Sequence, residues 1–484
     1  MKYNSIPQKE ERMKFQRCAA SLATAAIVLG ASGCGKTAAP TATGGLTDAE
    51  IDNIVRRSYQ YVAMYNVINK NAMLYGSMTG SDGWNHCVAD TALKDHTYTA
   101  IARPNNDTLY AGCMLDLRAE PIIVEYPAFD STYLSLETSA YDHFVDIPLS
   151  TTKGDFDQPT RVIYYTARTP GYSGEPIEGV DAVVEMTGDF AIAFLRAMPH
   201  AAERERMARN VAAMQAVRCL TLSEYQGLET ASAQEAEFPA VGQTDFDIFG
   251  NNLLEVMQFV FNHTTFDPNN EVDRAVLAAY EPLGVAPGKT YDPDAVMAID
   301  GAKFRQVAER VWAEEVAKSG VPEWDEKYMQ AMFQPKGQIS QEVLTFQSVL
   351  GPIGLPATEA VYPPIVSADG EPMNAMNDYV IRMGAEEMPP AGAFWSVTLY
   401  DTAEGFFIPN DHKKYSVGAN AGMQLDDEGG IAIYIAAEKP DGVPEENWLP
   451  INREDIEIGP IMRLYEPDIE RFASWEAPSA EKLD

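Results

Sequence analysis

Histidine, cysteine and basic side chains are all scarce in this chain, and each scarcity excludes something. The six His form no H-E-x-x-H or H-x-H pair, and the five Cys form no C-x-x-C. The usual zinc patterns are therefore missing, and no EF-hand spacing gathers carboxylates for calcium. Lys and Arg number 36 against 71 Asp and Glu, a formal net charge of −35. Neutralising phosphates needs clustered cations, so no nucleic-acid partner is expected. The G-x-G-x-x-G loop is absent, as is the G-x-S-x-G turn that carries a hydrolase nucleophile. Neither a metal nor a cofactor is expected.

What is present is enough to fold. Hydrophobic residues make up 46% of the 484 positions and aromatics 10%, which excludes a disordered chain and implies two or three domains. Residues 1–34 read as an address. Lys14 and Arg17 precede an apolar run, Ala19 to Leu29, that is too short to span a bilayer. Ala31-Ser32-Gly33-Cys34 then has the form of a bacterial lipobox, so Cys34 is the expected lipidation site, with Met13 an alternative start. Gly35 rather than Asp follows, which points to the periplasmic face of the outer membrane in a Gram-negative cell envelope. Residues 35–45 are a small, Pro-broken tether. Of the body's cysteines, Cys87, Cys113 and Cys219, an odd number remains, and buried free thiols are the expectation over one disulfide.

The hydrophobic period divides the rest. Thr47 and Glu50 form a capping box that opens a helix running to about Leu74, with Ile51, Val55, Tyr59, Val62 and Tyr65 on its apolar stripe. Runs at 122–126, 133–137, 161–168 and 182–186 read as short antiparallel strands, and 201–217 as a helix. Together 46–243 is expected to be a β-sandwich with flanking helices. Residues 244–349 turn helical, and 350–484 return to period two, as a jelly-roll-like sandwich would. The expected class is mainly β with α.

One stretch mixes apolar flanks with chemistry: Arg103-Pro104-Asn105-Asn106-Asp107-Thr108, which reads as a polar turn between two buried strands. Arg103 and Asp107 could pair to lock the turn, or hold and act on a substrate. His143, beside Asp142, is the best single His for catalysis. A cleft between the two sandwiches is the expected site. Arg103, Asn105, Asp107 and Tyr110 would floor it, and Trp395, Tyr400 and Arg463 would face them. Its occupant would be a small or amphiphilic molecule. The alternative is a hydrolase- or lyase-type enzyme using Asp107 with Arg103. A homo-oligomer is left open.

Two blocks carry a resemblance. Ala102 to Pro127, with its P-N-x-D-T-x-Y turn, is similar to the signature of domain of unknown function 1254. F-W-S-x-T-x-Y from Phe394, N-W-L-P from Asn447 and R-L-Y-E-P from Arg463 resemble its usual companion, domain of unknown function 1214. The resemblance implies a sandwich, a helical insert and a jelly roll, and no settled activity. Lys414-Tyr415-Ser416 stands where such proteins often show Asn-Arg-Tyr-Ser, and Asn452-Arg453 departs from the small, Pro-bearing stretch that usually follows N-W-L-P.

Overall fold

The elements form where local chemistry favours them. Thr47 N–H donates to Glu50 Oε2 (2.7 Å) and Glu50 N–H to Thr47 Oγ1 (3.3 Å), so the capping box starts helix α1, Asp48–Met73. The computed structural model describes residues 45–73, 83–99, 103–231, 235–318 and 328–483; the leader and most of the tether, including Cys34, lie outside them. Thr43–Asp484 form one compact unit.

The first β region is a sandwich of two sheets. One has five strands, in the order β1 (His86–Ala89), β2 (Leu109–Asp116), β8 (Phe190–Ala197), β4 (Leu134–Ala140), β5 (Val145–Ser150). The other orders β7 (Ala182–Glu185), β6 (Thr160–Tyr165), β3 (Ile122–Tyr126) and β9 (Arg218–Thr221). Pairing is antiparallel except between β6 and β7. Alternation sorts β8 cleanly. Ala191, Ala193, Leu195 and Ala197 turn into the sandwich, while Phe190, Ile192 and Phe194 turn outward against helices.

Those helices are α1 and, after α2 (Arg204–Gln215) and α3 (Leu222–Gln226), the middle group α4 (Asp245–Asn251), α5 (Leu253–Asn262), α6 (Glu271–Tyr280), α7 (Gly301–Lys318) and α8 (Gln341–Leu350). Helix α1, read from the sequence as part of the first domain, buries its apolar residues in the same core as α4 to α7. It is enclosed on nearly every side over Ser58–Asn66, which a single apolar stripe does not announce.

The second β region packs β10 (Ala360–Val361), β16 (Ile458–Pro467), β12 (Ala391–Asp401) and β13 (Ser416–Gly418) against β15 (Trp448–Pro450), β14 (Ile431–Ala436), β11 (Tyr379–Met383) and β17 (Ala480–Lys482). The expected order of β, helical and β regions is therefore the one adopted. At about 29% helix and 25% strand the class is mixed α/β.

Two expectations need correction here. The 103–108 stretch is a loop that leads into β2, but Tyr98 and Thr99 before it are not in a strand, and 100–102 lie outside the described residues. Cys87 and Cys113 are not free thiols. They sit directly opposite each other in β1 and β2 and are disulfide-bonded, leaving Cys219 free. The pairing was hidden because β1 is only four residues long and has no clear apolar period.

Candidate functional site

Strand β12 decides which side chains can meet the first domain. Trp395, Val397 and Leu399 enter the core of the second sandwich, so Phe394, Ser396, Thr398 and Tyr400 take the opposite face. Its neighbour β16 places Arg463 beside Ser396 and Tyr465 beside Phe394, whose ring stacks on Tyr465 at 4.1 Å. Met462 and Leu464 turn inward. The outer face is thus aromatic at one end and charged in the middle.

The 103–108 loop docks on this face through polar groups. Asp107 N–H donates to Asn105 Oδ1 (2.6 Å), closing an Asx-type turn. Asn105 Nδ2 donates to Tyr465 Oη (2.9 Å) and to Thr108 Oγ1 (3.1 Å). Asp107 Oδ2 accepts from Ser396 Oγ (2.6 Å) and from Tyr465 Oη (3.3 Å). Tyr400 Oη donates to Pro104 O (2.6 Å), and Arg463 Nη2 to Arg103 O (3.2 Å). Ser416 Oγ donates to Asn106 Oδ1 (3.1 Å). The two blocks that look chemical in the sequence therefore touch.

Beside this loop the outer face of the five-stranded sheet carries a second charged group. Arg196 stands opposite Tyr110 in β2, and its Nη2 lies 2.6 Å from Glu137 Oε2 of β4. The guanidinium lies over the Phe194 ring at 5.3 Å and the Tyr110 ring at 5.8 Å. Tyr362 completes the cluster. The residue as a whole is 39% exposed, while burial of its phenol end pushes that group up to about 12 against the pull of Arg196 and Arg463.

The electrostatics are those of a buried, charged cluster. Burial raises the Asp107 and Glu137 carboxyls although Arg463 and Arg196 respectively oppose it. Burial also pushes the Tyr400 phenol up to about 12, again opposed by Arg463, whose guanidinium lies 5.5 Å from that ring. Five atoms of the cluster are enclosed yet have no hydrogen-bond partner among the described residues: Arg196 Nη1, Arg463 Nη1, Asp107 Oδ1 and both Glu137 carboxylate oxygens, of which Oε2 stands in the ion pair with Arg196. Two of these atoms are guanidinium donors, and each buried polar group left without a partner costs about 1–3 kcal/mol.

The expected site residues divide accordingly. Asn105, Asp107, Tyr110, Tyr400 and Arg463 come together. Arg103 does not pair with Asp107. It is exposed, holds a left-handed φ of 52°, and joins the cluster only through its backbone, whose N–H donates to Gly405 O (2.6 Å). Trp395 faces away, into the second core. His143 is elsewhere too, wholly buried between the sheet and α8 with both ring nitrogens engaged. Sequence reasoning missed Arg196, Glu137 and Tyr362. One signal for Arg196 was available: it is the single charge in F-A-I-A-F-L-R-A, a strand buried along its whole length. Two surface depressions, of about 480 and 300 Å³, lie away from the cluster, one lined by Tyr126, Arg161 and Arg218 and the other by Arg56, Gln341 and Thr345. Only one group that the fold leaves unsatisfied, Gln341 Oε1, belongs to a residue lining either of them, whereas the cluster gathers several.

The two halves of this interface coincide with two family models. Residues 84–220 match "Protein of unknown function (DUF1254)", and 359–469 match "Protein of unknown function (DUF1214)". Together they cover just over half of the chain, in the order the motifs suggested. The chain belongs to the family that pairs these two domains. The site described above is therefore the DUF1254–DUF1214 junction, with Asp107, Tyr110 and Arg196 from the first and Tyr362, Ser396 and Arg463 from the second. The crystal structure of the VPA0106 protein from Vibrio parahaemolyticus shares this fold, with a TM-score of 0.67 at 22% identity over 90% of this chain and 100% of that one. A putative uncharacterized protein from Burkholderia cenocepacia aligns over 90% of this chain and 95% of its own, at 12% identity and a TM-score of 0.40. No curated protein matches.

Proposed function

We propose that the protein binds a small amphiphile with an anionic head at the DUF1254–DUF1214 junction, while lipid on Cys34 holds it at the periplasmic face of the outer membrane. One observation carries the binding reading. Arg196 and Arg463, each about 5% exposed, keep an Nη1 with no acceptor in the protein. A carboxylate or phosphate supplies the oxygens that such a pair of forks requires. The partly exposed rings of Tyr110 and Tyr362 offer an apolar body something to lie against, and Tyr362 stands where the cluster meets solvent. Asp107 favours binding over hydrolysis, because Ser396 and Tyr465 already occupy one of its oxygens and no His accompanies it.

Calorimetry with decanoate, decyl phosphate and decanol tests the ligand class. The two anions are expected to bind and decanol is not. Arg463→Lys, which keeps the charge but loses the fork, should weaken the anions by about tenfold or more. Equal affinity for decanol, or no loss in Arg463→Lys, would remove the anion from the proposal. The anchor has its own test. Cells labelled with a palmitate analogue should tag the wild type and leave Cys34→Ala untagged; equal labelling of both excludes lipidation at Cys34.

A further inference from the structure

Three sulfurs meet inside the first sandwich, and only two of them are bonded. Cys87 and Cys113 cross-link the adjacent strands β1 and β2. Cys219 comes from β9 of the other sheet, beside Val124 of β3, and packs against the interior of the sandwich. Its Sγ lies 3.1 Å from Cys87 Sγ, and all three sulfurs lie within 4.8 Å of one another. A separation of about 3–3.5 Å is that of a near-attack pair.

We propose that Cys219 is a resident exchange thiol that moves the disulfide from Cys87–Cys113 to Cys87–Cys219. The Cys219 thiol gives up its proton, and the thiolate attacks Cys87 Sγ. The Cys87–Cys113 bond breaks as the new bond forms, and Cys113 leaves as a thiolate that takes up a proton. One disulfide and one thiol enter and leave the step, so no oxidant or reductant is consumed.

The product differs in kind from the starting material. The original bond spans 26 residues and ties neighbours within one sheet; the new one would span 132 and staple the two sheets together. A longer closed loop restrains the unfolded chain more. Exchange is also slow in the resting protein, because burial pushes the Cys219 thiol up to about 12. The titratable groups beside it are the phenols of Tyr126 on β3 and Tyr164 on β6, both raised by burial and so neutral through the alkaline range used below.

The test is a disulfide map of the intact folded chain. Protein is held at pH 7, 8 or 9, quenched in acid, alkylated in denaturant and digested without reduction. The expected result is a Cys87–Cys219 peptide that accumulates together with alkylated Cys113. Its rate should rise about tenfold per pH unit and be independent of protein concentration. Cys219→Ser should keep only Cys87–Cys113. Cys113→Ser, treated with oxidised glutathione, should lose both remaining thiols to a Cys87–Cys219 bond. The proposal is overturned if the wild type keeps Cys219 fully alkylated after prolonged incubation at pH 9. It is overturned equally if Cys113→Ser retains two free thiols, or if the purified chain carries three thiols on a soft metal ion and no disulfide.

Discussion

Lys336→Met will lower the free energy of unfolding by about 3–5 kcal/mol at pH 8, the range expected when one partner of a buried ion pair is removed. Lys336 Nζ lies 2.8 Å from Asp273 Oδ2 and 3.0 Å from Asp142 Oδ2, and it donates to Thr265 O at 3.0 Å. Both carboxylates are almost completely buried, Asp142 just beyond β4 and Asp273 in α6. One ammonium therefore ties the first sandwich to the helical layer. Burial raises the Asp273 carboxyl even with Lys336 beside it, and the two carboxylates hold the Lys336 ammonium above its usual range against its own burial. Met keeps most of the apolar stem while deleting the ammonium, which lies 5.0 Å from the Phe144 ring centroid. Two carboxylates then face each other without a cation, and one of them holds a proton to higher pH than before. A carboxyl whose folded pKa is raised loses stability as pH climbs from its unfolded value through the folded one. The loss should accordingly be smaller at pH 5 than at pH 8. Urea midpoints at the two pH values measure both parts, and adding Asp273→Asn to Lys336→Met should recover part of the difference. A loss below about 1 kcal/mol would put this triad with ordinary surface pairs.

The Asp107 cluster shows what the sequence can and cannot reveal. Periodicity placed some strands well: 122–126 is read to the residue, because it is a short run of β-formers bounded by turns, while the fully buried β8 is not seen at all. Alternation also contained the answer for Trp395, since an odd position in β12 cannot share a face with Ser396 or Tyr400. What the sequence withheld were the partners. Asp107 suggested Arg103, four residues away, whereas its bonds go to Ser396 and Tyr465, the latter 358 positions downstream. Nothing local specifies a contact between two sandwiches. Helix α1 misled in a different way. Ser58, Gln60, Asn66 and Asn69 look like a solvated face, yet they are buried because helices lie on one side and the sheet on the other. Each finds a partner there, Gln60 at Asp142 O and Asn69 at the Tyr141 hydroxyl, so polarity in the sequence did not mean exposure.

His143 will make the fold acid-sensitive, at about 3 kcal/mol between pH 7 and pH 4. The residue is completely buried at the turn after β4, with a left-handed φ of 60°. Its Nε2 lies 2.9 Å from Pro352 O, and a carbonyl only accepts, so Nε2 carries the proton. In the neutral ring Nδ1, 2.7 Å from Ser348 Oγ, is then an acceptor that shares the Ser348 hydroxyl with Leu344 O (2.6 Å), and the ring ties the sheet to α8 and the segment after it. A second proton would place a cation in a completely buried site. Burial therefore depresses the imidazole to about 4, with the Pro352 carbonyl pulling weakly the other way. The unfolded chain titrates near ~6.5, so above that pH the group is neutral in both states and contributes no pH dependence. Below it the unfolded chain takes up a proton that the folded chain refuses, and stability falls until the folded pKa is reached. About 2.5 pKa units at 1.36 kcal/mol each give the stated figure. Buried carboxyls such as Asp107 and Glu137, raised rather than lowered, act in the opposite sense over part of this range. The wild-type profile alone therefore mixes the two effects, and a difference separates them. His143→Gln retains a donor for Pro352 and an acceptor for Ser348 but has no proton to gain. Its deficit relative to wild type, from urea midpoints, should shrink by about 3 kcal/mol as pH drops from 7 to 4. A deficit that stays constant across that range would mean the imidazole takes its proton freely in the folded protein.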